Sequence, residues 1–112
     1  MKIINKTRFF GMLGFAMRAG KIDTGADVVC DLMQRGKAHL VIISNDASDL
    51  TRKRLRNKCE FYKVKCIEPD LDSYTLSERL GKTNTTVCIA IKDEGFKCEI
   101  LKTLEDGYAN MN

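Results

Sequence analysis

Two unbroken apolar runs constrain this chain most: HLVIIS at 39–44 and TTVCIAIKD at 85–93. Each is short, rich in β-branched residues and without polar alternation, which suits a central strand covered on both faces. A strand of that kind needs helices above and below it, and the rest of the chain supplies them. TRFFGMLGFAMRAG places Phe9, Met12, Leu13, Ala16 and Met17 at helical spacing, with Phe10 nearby and Gly20 as the stop. The glycines of GMLGFAMRAG read as helix-packing positions. KID at 21–23 is a candidate edge strand. Thr24 is the expected N-cap of a second helix, its hydroxyl accepting from a first-turn amide. Asp27 sits three residues on, where a carboxylate favours the helix dipole. Val28, Val29, Leu32 and Met33 form its expected buried stripe, and Gly36 ends it.

A third helix begins after Ser48, with Leu50, Leu55, Cys59 and Tyr62 expected inward and Arg52, Lys53, Arg56 and Lys63 outward. VKCIEP is a short strand stopped by Pro69. YTLSERLGK is a short helix ended by Gly81. EGFKCEILKTLED is a last helix with Phe96, Ile100 and Leu104 inward. Helices alternating with apolar strands specify an α/β/α sandwich whose loops gather at one end of the sheet, where ligands usually bind. The 112 residues fit a single domain over 1–106, with a frayed tail from Gly107. MKIINKTRFFGML lacks an apolar signal core, and no run is long enough to cross a bilayer.

Cys30, Cys59, Cys66, Cys88 and Cys98 include no CxxC pair, and there is one histidine, so neither a disulfide framework nor a metal site is expected. Small core cysteines and a reducing cytoplasm follow. Charge is divided unevenly. Residues 1–66 hold 14 Lys/Arg against 6 Asp/Glu, a net of +8, while residues 67–112 are net −4. A basic half points to a polyanion, although a solvated basic helix gives the same count. No catalytic motif is present. His39 reads as a strand-edge residue. Asp46, at a strand end, has no base, nucleophile or metal ligand beside it in sequence.

Binding remains, and KIDTGADVVC is where it concentrates. A helix start offers free N–H groups to an anion, Gly25 admits a sugar-phosphate backbone, and Arg18 and Lys21 precede it as countercharge. Asp27 and Asp31, four apart, share a helix face that phosphates would avoid.

At these residues the chain resembles the ribosomal protein seven-Ae/thirty-e superfamily of kink-turn RNA-binding proteins, in its bacterial YlxQ-like branch. LGFAMRAGKIDTGADVV, RGKAHLVIISNDAS, TRKRL, CEFYKV and LGKTNTTVCIAIKDEGF carry the likeness, in order and over most of the chain. The resemblance implies a mixed, four-stranded sheet and non-catalytic binding of RNA, with ribosomal RNA one candidate; no cofactor and no membrane are expected, and the oligomeric state stays open with a monomer favoured. It places the RNA surface on Lys21 and Thr24, Gly25, Ala26, Asp27, Val28 and Asp31; on Asn45 and Asp46 of the turn ending at Ser48; and on the loop from Leu80 through Lys82, Thr83, Asn84, Thr85 and Thr86. Gly25 and Ala26 amides would meet the backbone, Lys21 and Lys82 would neutralise phosphates, and Thr83 to Thr86 would brace an unstacked base.

Strong binders of the family begin the second helix Gly-x-Asn-Glu-x-x-Lys. Here Gly25 matches, while Asp27, Val28 and Asp31 stand at the other three places. An ionised aspartate cannot donate to a guanine acceptor, and Asp31 reverses the charge of a lysine. Two alternatives stay open: a protein-interaction module that offers Asp27 and Asp31 to a basic partner, and an enzyme using Asp46.

Overall fold

The computed structural model describes residues 1–105; Asp106 and the tail expected to fray from Gly107 lie outside the described residues. Among the described residues nine elements follow in order: α1 (Lys6–Arg18), β1 (Ile22–Thr24), α2 (Ala26–Gln34), β2 (Leu40–Ile43), α3 (Asp49–Tyr62), β3 (Lys65–Ile67), α4 (Ser73–Arg79), β4 (Cys88–Ile91) and α5 (Glu94–Leu101). The sheet order is β1-β4-β2-β3, with β4 antiparallel to both neighbours and β2 parallel to β3. This is the mixed four-stranded sheet of the expectation, with β1 as an edge strand shifted one residue along.

The two apolar runs form the centre. All four residues of β2 and all four of β4 are buried. Successive side chains point to opposite faces, so Leu40, Ile42, Ile89 and Ile91 pack under α1, α4 and α5, while Val41, Ile43, Cys88 and Ala90 pack under α2 and α3. Cys88 and Ala90 are the small members of the face under α2 and α3. Cys30, Cys59 and Cys88 are buried as core filler. Burial raises the Cys88 thiol to about 11, which keeps it protonated at neutral pH.

Capping follows the local chemistry. Asn5 accepts from the Arg8 amide at 3.1 Å, Ser48 from Thr51 at 3.2 Å, Asp72 from Thr75 at 2.7 Å and Asp93 from Phe96 at 2.9 Å. His39 opens β2 at its edge, its Nδ1 3.0 Å from a Glu94 carboxylate oxygen.

Four expectations are corrected. Leu50 is 82% exposed rather than inward: a step of five residues to Leu55 turns about 500°, leaving it roughly 140° off the buried face. Val28 is 47% exposed, because it lies about 100° back from Val29, and Cys30 takes its place in the stripe. Arg52 is not a free outward cation; its Nε lies 2.8 Å from a Glu68 carboxylate oxygen. Leu104 is buried beyond the end of α5, in a bridge to Ile3 rather than on a helix face.

Candidate nucleic-acid interface

Register defines one end of the sheet. Thr24 ends β1, Ile43 ends β2 and Cys88 begins β4, and these residues are neighbours across the strands. Three turns leave from that end and are tied to one another through two carbonyls. The Gly25 amide donates to the Cys88 carbonyl at 3.2 Å, and the Ser44 amide donates to the Val87 carbonyl at 2.8 Å. The start of α2, the turn after β2 and the loop before β4 therefore form one cluster.

Gly25 makes the first of these turns. Its φ of 101° and ψ of 142° belong to a region that only glycine adopts without strain. A Cβ built there meets nothing within 4 Å, so the space in front of it is open. Gly25, not Thr24, is the N-cap, and no side chain among the described residues caps α2. Thr24 is still in the β1 ladder, opposite Ile89, which is why its hydroxyl does not serve. The Gly25 amide is already committed to Cys88, so it cannot meet a phosphate as expected. The amides of Ala26, Asp27 and Val28 have no acceptor among the described residues and stand at the positive end of the helix.

The acidic residues do not leave bare negative charge at this mouth. Asp27 is 91% exposed but lies 2.9 Å from the Arg54 guanidinium of α3, and Asp31 lies 3.5 Å from Arg35 one turn on. Arg54 was invisible as a partner in the sequence, 27 residues away. Val28, exposed beside the open amides, presents an apolar contact that a buried position would have removed.

In the second turn, Asn45 is exposed; its amide donates to the Leu71 carbonyl at 2.8 Å, and its carbonyl accepts from Arg52 at 3.0 Å. Asp46 is exposed, and its carboxylate is tied to the start of α4. Its two carboxylate oxygens accept from the Ser73 amide at 2.9 Å and the Ser73 hydroxyl at 2.7 Å. The Ser73 hydroxyl, above all, holds the Asp46 carboxyl below the usual carboxylate range. A carboxylate so held is a weak base and anchors α4.

Because its pKa is lowered in the fold, Asp46 stabilises above its ordinary value of 3.8, and that contribution is lost as pH falls through the folded value. Asp46→Asn therefore lowers the urea midpoint at pH 7. It also makes the decline between about pH 4 and pH 2 shallower than in the wild type. An unchanged acid limb would contradict this role.

The third segment hangs on Ser77. The Ser77 hydroxyl donates to the Ser73 carbonyl at 2.7 Å and accepts from the Thr86 amide at 2.8 Å; its carbonyl accepts from the Lys82 amide at 2.9 Å. Thr86 is 8% exposed and its hydroxyl donates to the Cys88 carbonyl at 3.1 Å, so it braces the loop and not a base, contrary to expectation. Lys82, Thr83, Asn84 and Thr85 are exposed, and their side chains have no partner among the described residues. Ser73 and Ser77 were missed in the sequence; only their spacing of four on a short helix hinted at a shared face.

Two expected cations lie elsewhere. Lys21 is at the opposite end of β1, its carbonyl accepting from Lys92, about 10 Å along the strand from Thr24. Arg18 lies over the Phe15 ring, 4.9 Å from its centroid. The arginines of α3 are also engaged: Arg52 and Arg56 share Glu68, and Arg54 pairs with Asp27.

Residues 7–101 match the model of the Ribosomal protein L7Ae/L30e/S12e/Gadd45 family, and the chain belongs to it. Within the family its relatives are of the YlxQ kind. The chain is 31% identical over 101 residues to the RNA-binding protein YlxQ of Enterococcus faecium, covering 90% of this chain and 95% of that one. It is 33% identical over 97 residues to the RNA-binding protein YlxQ of Bacillus subtilis (strain 168), covering 87% and 95%. A solved protein of unknown function from Bacillus halodurans C superposes with a TM-score of 0.81 at 32% identity, over 88% of this chain and 97% of that one. The Giardia lamblia 15.5kD RNA binding protein shares the fold, with a TM-score of 0.75 at 20% identity over 93% and 88%.

Proposed function

We propose that this chain is a non-catalytic, cytoplasmic protein that binds structured RNA, recognises kink-turn-like internal loops and associates with the ribosome. The observation that carries the reading is the open first turn of α2. Three amides without an acceptor among the described residues follow a glycine whose added Cβ would meet nothing within 4 Å among them. The turn that carries Asn45 and the loop that carries the exposed residues Lys82 to Thr85 leave the same end of the sheet, tied to it through Val87 and Cys88. Backbone amides would position a phosphate, Lys82 would add countercharge, and Val28 with Thr83 to Thr85 would receive an unstacked base. Two relatives that share about a third of their residues with this chain are RNA-binding proteins by name. RNA binding is preferred to the protein-interaction reading, because Asp27 and Asp31 each lie beside an arginine of this chain and offer less free charge to a basic partner. No helix among the described residues is long and apolar enough to cross a membrane.

If about four phosphates are neutralised, the logarithm of affinity falls with the logarithm of salt with a slope of roughly −3 to −4. A slope near zero would contradict a phosphate-reading surface. Asp31→Lys reverses charge at an exposed position one turn inside the mouth and releases Arg35. Affinity for the same RNA then rises about tenfold at about 0.15 M salt, measured by fluorescence titration. No gain would place Asp31 outside the footprint.

A further inference from the structure

Five of the seven arginines pair with carboxylates: Arg8 with Glu99, Arg35 with Asp31, Arg54 with Asp27, and Arg52 and Arg56 with Glu68. Arg18 and Arg79 have no ion pair among the described residues, and both line one groove on the outer face of α1. The groove is about 500 Å³ and is lined by Lys6, Phe10, Phe15, Arg18 and Arg79 among others, with no carboxylate among the described residues. Arg79 lies over the Phe10 ring at 4.4 Å and Arg18 over Phe15 at 4.9 Å. Phe15 is 53% exposed. Gly11 and Gly14, expected to serve helix packing, line this groove instead. A Cβ at Gly11 would meet nothing within 4 Å, and one at Gly14 only the tip of Arg18.

The groove also connects to the RNA site. A second hollow of about 310 Å³ shares Lys6, Phe10 and Arg79 with it and reaches Asn45. Asp70 and Asp72 line that stretch, but one carboxylate accepts from the Ile3 amide and the other caps α4. From Lys6 to Arg18 the helix runs about 18 Å, enough for a few nucleotides.

We infer that the α1 groove is a single-strand subsite that takes the RNA strand leaving the structured element held at Asn45 and α2. This rests on the RNA-binding reading above. The unpaired guanidiniums would meet phosphates, and bases would stack on Phe15 and on the exposed guanidinium planes. An acidic peptide would satisfy the charge but leave the flat ring and guanidinium faces without a matching surface, so RNA is favoured.

The test compares a kink-turn RNA with the same RNA carrying an eight-uridine single-stranded extension, against wild type and Arg18→Gln/Arg79→Gln. The extension should raise wild-type affinity about tenfold. The variant should lose that gain while binding the unextended RNA as before. 4-Thiouridine in the extension should crosslink to residues 6–18. A gain that survives in the variant, crosslinks confined to other elements, or equal displacement of the extension by polyglutamate would overturn the subsite. Should the unextended RNA fail to bind, the kink-turn reading falls by itself. An eight-uridine oligonucleotide alone then decides the groove: crosslinks to 6–18 that vanish in the variant support it, and their absence overturns it.

Discussion

Gly25→Ala lowers stability by about 1–3 kcal/mol and weakens binding of structured RNA by at least about tenfold. The cause is torsional rather than steric, because the new methyl has open space. At φ 101° and ψ 142° an L-residue is strained. Two responses are available. If the backbone holds, the strain appears as lost stability, and the methyl occupies the place where a phosphate would approach. If the backbone relaxes to negative φ, the 3.2 Å bond to the Cys88 carbonyl breaks and the first turn of α2 rotates away from the loop before β4. Both outcomes lower the denaturant midpoint and the affinity together. A variant as stable as wild type would show that the turn is not fixed as described.

Ser77→Ala has a comparable effect by another route. The hydroxyl is the only acceptor for the Thr86 amide among the described residues, and both residues are buried, at 5% and 8% exposure. Alanine leaves that amide unpaired, which costs about 1–3 kcal/mol. It also removes the donor to the Ser73 carbonyl, so the path from Asp46 through Ser73 and Ser77 to Thr86 is cut at its centre. The loop from Lys82 to Thr85 then has to be ordered by the RNA, and affinity falls about tenfold as that ordering cost moves to the binding step. The Asp46→Asn variant cuts the same path nearer its end, where Asp72 still caps α4, and its effect is smaller. Unfolding by urea and RNA titration separate the two contributions. Unchanged stability in Ser77→Ala would refute the brace.

The layers of the fold were legible because they depend on period. β2 and β4 announce themselves as unbroken apolar runs, and the glycines at 20, 36 and 81 mark helix ends that the structure keeps, each with positive φ. Errors arose where the position of an element's end mattered more than its period. Thr24 has the chemistry of an N-cap but stays in the β1 ladder, one residue before the turn. Val28 has the chemistry of a core residue, but its angle around α2 takes it outside. The site was legible as three segments and not as contacts. Asp27 and Arg54 lie 27 residues apart, as do Asp46 and Ser73, and no local pattern links such pairs. The charge of α3 misled for the same reason: its arginines face carboxylates distant in sequence, whereas Arg18 and Arg79, isolated in the sequence, keep their charge free of carboxylates among the described residues.

The most direct test of the central claim is a titration of a fluorescent kink-turn RNA at about 0.15 M salt, where non-specific electrostatics are partly screened. Its control is the same RNA with Watson–Crick pairs in place of the sheared G·A pairs. At least about tenfold tighter binding to the kink-turn is expected, recognition by shape with Asp27 and Asp31 tolerated because each is paired. Equal affinity for both RNAs, or binding to neither, would contradict it.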